Sequence, residues 1–125
     1  MRAELYYSCR PGENPSAAAA ALENKGYLKA VLLCRSAACK ASLMEALSAA
    51  FSFPSGFGRN WDALYDCLTS LPDERPGAGC VLLLAEAGFL LADEPESLAA
   101  FESVLADARL YLAARGYPLV IIRED

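Results

Sequence analysis

The sequence predicts an α/β domain, a small parallel sheet of three to four strands packed by helices. Two observations carry that expectation. Three short apolar runs, Tyr27 to Cys34, Cys80 to Ala85 and Leu119 to Ile122, are separated by stretches with helical spacing, and strands joined through helices pair in parallel by right-handed crossovers. The chain also has 125 residues, 55% of them apolar, which matches one compact domain better than two. The domain is read as residues 1–125, with residues 1–26 as an N-terminal strand-helix extension.

Taken in order, Glu4-Leu5-Tyr6-Tyr7-Ser8-Cys9 is an aromatic run closed by Pro11-Gly12. This is the pattern of a strand ended by a turn, and a fourth, peripheral strand is expected there. Residues Pro15 to Lys25 are alanine-rich, with Asn14 as N-cap, Pro15 at the first helical position and Gly26 just past the end, which is the punctuation of a short helix. Tyr27 to Cys34 is almost unbroken apolar sequence and reads as a strand covered on both faces, central or nearly so in the sheet. From Ser42 the spacing becomes helical: Leu43, Leu47 and Phe51 lie one turn apart, and Ser42 and Glu45 have the spacing of a capping box. Pro54, Gly56 and Gly58 stop that helix. A second runs from about Asn60 to Leu71, followed by an exposed turn-forming loop from Pro72 to Gly79 and the strand Cys80 to Ala85. After Gly88 a loop with two acids leads to Pro95. Leu98, Phe101, Leu105, Ala108 and Leu112 then mark one stripe of a long helix closed by Gly116, before the last strand.

Composition narrows the chemistry. There is no histidine, which removes the usual general base, the commonest metal ligand and every triad built on imidazole; the chain is not read as an enzyme. A net charge of -5 opposes direct binding to nucleic acid or an anionic membrane and makes a basic protein the natural complement. No apolar run approaches the roughly 20 residues that cross a bilayer. The start, Met1-Arg2-Ala3-Glu4, carries an acid where a signal peptide needs basic and then apolar residues, so the expectation is a cytoplasmic protein. Cys9, Cys34, Cys39, Cys67 and Cys80 form an odd set without framework or zinc-site spacing and read as small hydrophobes. Gly77 and Gly79 precede a strand and lack a following Lys-Ser/Thr, so they read as turn residues and not as a phosphate cradle. No cofactor or metal is expected.

The informative segment is Phe53 to Leu71. At about 100° per residue, Trp61, Leu64, Cys67, Leu68 and Leu71 share one helical face and Asp62, Tyr65, Asp66 and Thr69 share the opposite one. Asp62, Tyr65 and Asp66 are expected to be solvent-exposed on one patch, with Trp61, Leu64 and Leu68 buried beneath them. Two carboxylates at i, i+4 spacing cost a helix about 0.2–0.5 kcal/mol, and no basic residue stands at the next position on that face to offset it. Spacing by itself is equally compatible with two ordinary solvated acids, one of them favoured by the helix dipole.

The segment resembles the signature of the barstar family, intracellular inhibitors of barnase-type ribonucleases. That signature is an aromatic-Gly-x-Asn-x-Asp-Ala-Leu-aromatic-Asp run after a proline. Pro54, Phe57, Gly58, Asn60, Asp62, Ala63, Leu64, Tyr65, Asp66, Cys67, Leu68 and Thr69 fit it as they stand. The order of elements around it agrees, so the resemblance spans roughly residues 27–122; the first 26 residues have no counterpart in short family members. The resemblance implies a barstar-like fold and a loop and helix that enter the active site of a basic ribonuclease or nuclease-type toxin. Acidic side chains would take the places of RNA phosphates. Carried over, Asp66 is the phosphate mimic, Asp62 a flanking acid and Tyr65 the helix aromatic, while Phe57, Gly58, Asn60 and Thr69 complete the partner-binding set. The chain departs from the family in having Gly56 where a loop tyrosine is expected, and Leu110 or Tyr111 where the long helix offers an acid. These departures leave a second reading open: a protein-binding module of this fold that has lost nuclease inhibition.

Overall fold

Asn14 opens the first helix. Its side-chain oxygen accepts from the backbone N–H groups of Ser16 and Ala17 at 2.8 and 3.3 Å, and Pro15 fills the first position of α1 (Pro15–Asn24), where a missing N–H costs nothing. Gly26, at φ +94°, makes the left-handed turn that β-carbon-bearing residues resist and delivers the chain to β1 (Tyr27–Leu33). The computed structural model describes residues 3–125, so Met1 and Arg2, part of the N-terminal signal reading, lie outside the described residues. After β1 come α2 (Lys40–Phe51), α3 (Trp61–Thr69), α4 (Leu71–Glu74), β2 (Gly79–Ala85), α5 (Leu98–Ala114) and β3 (Leu119–Glu124), with short 3-10 turns between β1 and α2 and between β2 and α5.

The three strands form one parallel sheet in the order β1-β2-β3, with Ala30 beside Leu82 and Leu82 beside Ile121. The α/β expectation holds. Two details of it do not. β1 is an edge strand, not a central one: Val31 and Leu33 are 40% and 56% exposed, whereas Gly79 through Leu84 of β2 are all buried. Nor is β1 covered on both faces as expected, since the face of Val31 and Leu33 is left open; an apolar run fixes neither a strand's neighbours nor the cover on both its faces. The expected fourth strand near Glu4 to Cys9 reduces to a single parallel bridge between Tyr6 and Ile121, with the Tyr7 N–H donating to the Ile121 carbonyl at 2.7 Å. The chain just before it curls into a 3-10 turn, Ala3–Leu5. The Glu4 and Leu5 carbonyls accept from Arg109 Nη1 at 3.0 and 3.1 Å, so α5 takes up groups that a strand would have offered to a ladder.

Because successive strand residues point to opposite faces, the sheet builds two cores. On one face Leu32, Leu82, Leu84 and Ile121 meet Leu43, Leu47 and Phe51 of α2, Leu64 and Leu68 of α3, and Phe101, Leu105 and Leu112 of α5. On the other, Val81, Leu83 and Ile122 pack against Ala18 and Ala19 of α1. All five cysteines are free thiols, but only Cys34 and Cys80 are buried.

Two helix boundaries differ from the sequence reading. α2 starts earlier than Ser42: Cys39 is its N-cap, and Ser42 closes the capping box from the third helical position, its hydroxyl accepting from the Cys39 N–H at 3.2 Å. Glu45 is free of the cap and pairs with Arg59. The helix begun at Trp61 stops at Thr69 because Pro72 has no N–H to continue the ladder; α4 follows after Ser70 as a separate turn, so the expected loop begins as a helical turn.

Candidate protein-binding site

The site is built from a loop, residues 52–60, and the helix it feeds. The loop is pinned from beneath by three rings. Phe53 lies stacked on Phe51 with centroids 5.3 Å apart and tilted against Phe57 at 5.0 Å. Its ends bend through left-handed residues, Ser52 at φ +55° and Arg59 at φ +52°, conformations that non-glycine residues hold only when the surroundings fix them. Arg59 supplies that fixing: its guanidinium pairs with Glu45 of α2 and donates to the Phe57 carbonyl at 3.3 Å.

Asn60 caps α3. Its Oδ1 accepts from the Ala63 N–H at 2.8 Å and its Nδ2 donates to the Gly58 carbonyl at 3.3 Å. Gly58 has little room for a side chain, since a Cβ there would stand 3.3 Å from both Ala63 Cβ and Asn60 Nδ2.

Along α3, Leu64 and Leu68 are buried as expected. Trp61, expected to be buried as well, is only partly so. It lies in the first turn at the rim of the core, stacked on Phe101 of α5 at 6.2 Å with the Lys40 ammonium 5.1 Å from its ring centre. The opposite face carries Asp62 and Asp66, both exposed, with Tyr65 half-buried between them. Asp62 sits in the first turn, where the helix dipole favours a negative charge. Among the described residues neither carboxylate has an ion-pair partner. Cys67 lies beside them; burial, and then the neighbouring Asp66 charge, push its thiol up.

Of the seven residues expected to contact a partner, three share one face: Asp62 and Asp66, exposed as expected, and Tyr65, which is half-buried because its ring packs against the core. The other four also make contacts within the chain: Phe57 is buried, Thr69 half-buried, and Gly58 and Asn60 exposed. Phe57 is 5% exposed and its ring packs against Phe53, which anchors the loop. Asn60 is spent on the cap, and Gly58 makes room for it. The Thr69 hydroxyl donates back to the Tyr65 and Asp66 carbonyls at 2.9 and 3.2 Å, as the Ser70 hydroxyl does to Asp66 at 2.7 Å, which tightens the end of α3. Sequence reasoning missed Glu74. The helical restart at Leu71 brings it into a cleft of about 430 Å3 that Asp66 also lines, and Pro72 was the available signal.

On α5, Leu110 and Tyr111 are 74% and 45% exposed. No group of three or more acidic, cysteine or histidine side chains among the described residues is placed to hold a metal ion, and no helix of the described residues is long and apolar enough to cross a membrane.

The family model described as Barstar (barnase inhibitor) matches residues 27–123. No curated protein matches the chain. The matched segment begins with the first residue of β1 and ends one residue short of the end of β3, so it takes in the loop, α3 and all but the last residue of the sheet and leaves out α1.

Proposed function

The chain belongs to the barstar family, and from that premise we propose that it inhibits a cationic ribonuclease-like enzyme or nuclease-type toxin. α3 and its preceding loop block the active site. The family is one of inhibitors, not of catalysts. The observation that carries the reading is the pair of exposed carboxylates, Asp62 and Asp66, one turn apart on a helix face and with no basic side chain paired to them among the described residues. That arrangement mildly opposes helix stability, yet the cap, the loop pins and the buried Leu64 and Leu68 hold it rigid. Fixed carboxylates lose little freedom on meeting lysines and arginines, and they form charge-assisted hydrogen bonds. In this reading Asp66 occupies a phosphate position, Asp62 flanks it, and Tyr65 packs between them against the partner.

The chain's net charge of -5 adds long-range steering toward a basic enzyme. Such a partner places the working protein in the same compartment as the nuclease it restrains, and the proposal includes a cytoplasmic immunity role. The test is titration of barnase activity on an RNA substrate with increasing amounts of this protein. Stoichiometric loss of cleavage supports the proposal. One observation favours a second reading, a binding module of this fold without nuclease inhibition: the long helix presents Leu110 and Tyr111 to solvent where an acid is expected. Full RNA cleavage in the presence of excess protein, for barnase and for any basic nuclease encoded beside this gene, would sustain that second reading.

A further inference from the structure

We propose that the cleft between the Phe53–Pro54 stretch and the α3–α4 junction receives an arginine side chain of the basic protein partner, with Glu74 as a specificity-determining residue. The proposal rests on the reading that α3 faces such a partner, and it deepens it by naming what enters beside Asp66. The cleft has a volume of about 430 Å3 and is lined from three sides. Phe53 and Pro54 form an apolar wall. Asp66 approaches from α3 and Glu74 from α4, with Ser70 at the junction between them. Among the described residues neither Asp66 nor Glu74 is ion-paired. The one cation at the rim, Arg75, is already engaged, its Nη1 donating to the Phe51 carbonyl at 3.2 Å. Two unpaired carboxylates against one tethered guanidinium leave the cleft net negative.

These features select the occupant. A partly apolar wall beside two carboxylates excludes anions and favours a cation with a long apolar stem. Lysine and arginine both have one, but an ammonium is strongly hydrated and presents a point charge. Guanidinium is more weakly hydrated, and its planar fork of donors can meet carboxylates arriving from two different elements at once. The volume lies within the roughly 300–1,000 Å3 range of ligand clefts, enough for the side chain with adjoining backbone. The walls are preorganised: Phe53 is held in the ring stack of Phe51 and Phe57, and the Ser70 hydroxyl is fixed on the Asp66 carbonyl at 2.7 Å.

The experiment is an amide-shift titration of the full chain with N-acetyl-arginine amide, with the lysine and citrulline amides as comparators, run on wild type and on Glu74→Gln. Expected are saturable shifts centred on Phe53, Ser70 and Glu74 with the arginine compound, weaker binding of the lysine compound and no saturation with neutral citrulline. Glu74→Gln should weaken the arginine compound by about three- to tenfold, the loss of one partly exposed charge-assisted contact, with its melting curve unchanged. Shifts that do not saturate, or that saturate elsewhere on the surface, overturn the proposal, as does a Glu74→Gln variant that binds as wild type does. Barnase titrated in parallel separates the two layers of the argument. If barnase is bound by wild type and lost by Asp66→Ala while the arginine compound finds no cleft, the inhibitor reading stands and the cleft falls. If the arginine compound saturates in the cleft and barnase does not bind, the cleft stands and the inhibitor reading falls.

Discussion

Replacing Asp66 with alanine removes a carboxylate that repels Asp62 from one turn away and pairs with no basic side chain among the described residues. The expected effect on stability is nil to a gain of about 0.2–0.5 kcal/mol, from lost repulsion and a better helix former. Binding should respond in the opposite direction. Truncating a desolvated carboxylate at an interface centre leaves the partner's cations buried and unpaired, at about 2–5 kcal/mol, a class of measurement to which the barnase–barstar pair itself contributes. Urea melts and titration against barnase read the two effects separately; an Asp66→Ala protein that binds as tightly as wild type would falsify the assignment of α3 as the inhibitory element. The residue scale also shows what sequence patterning reaches. It placed Asp62, Tyr65 and Asp66 on one face, because a helical wheel needs only a period. It assigned Phe57, Asn60 and Thr69 to the partner as well, although their side chains are occupied inside the chain. That difference depends on where the loop bends and where a hydroxyl turns back, which no period encodes, although Asn60 directly before a helix was itself a readable cap signal.

At the scale of elements, the helices were the more legible part, since caps, prolines and apolar stripes act within a few residues of one another. α1 begins and ends where Asn14, Pro15 and Gly26 place it, and α5 buries four of the five residues of its expected stripe. Neighbour relations were less legible. That β1 lies at an edge and that Tyr6 makes one bridge in place of a strand are settled by pairings between segments far apart in the chain, such as Tyr27 with Gly79 and Tyr6 with Ile121. The Trp61 ring was overestimated as an anchor for the same reason: its cover comes from Phe101 and Lys40, elements distant in sequence. Trp61→Ala should therefore cost less than a fully buried tryptophan, about 1–3 kcal/mol against the 3–5 of a core site, as read by denaturant melts. α1 offers the sharper test of an element outside the matched family segment. Ala19 is 0% exposed and packs in the small core with Val81, Leu83 and Ile122. Enlarging it to leucine should overpack that layer and lower stability by about 1–3 kcal/mol. A melt unchanged by Ala19→Leu would mean that α1 lies loosely on the sheet in solution.

The whole molecule combines an acidic surface with an interior that holds two thiols and two phenols whose ionisation burial opposes. With no histidine, the chain has no side chain whose ordinary pKa lies between about 5 and 8, so stability is expected to be flat through neutrality. Above that window the buried groups act together. Burial pushes the Cys34 thiol up from 9.0 to about 11 and the Cys80 thiol to about 12. It also raises the Tyr117 phenol from 10.0 to about 12. Tyr6 is raised as well, first by burial and then by its hydrogen bond to Glu102 at 2.6 Å. In each case the folded pKa exceeds the unfolded one, so the folded state retains protons that the unfolded chain releases. Stability contributed by these groups is complete below about pH 9, where both states are protonated, and is lost progressively as pH rises toward 12. Urea melts at intervals between pH 7 and 11, under reducing conditions, should show a plateau followed by a steepening fall. Replacing Cys34 and Cys80 together with alanine lowers the plateau by the packing lost, yet it should make the alkaline slope shallower. An alkaline slope as steep in that double variant as in the wild type would show that the buried thiols are not what the folded state protects from ionisation.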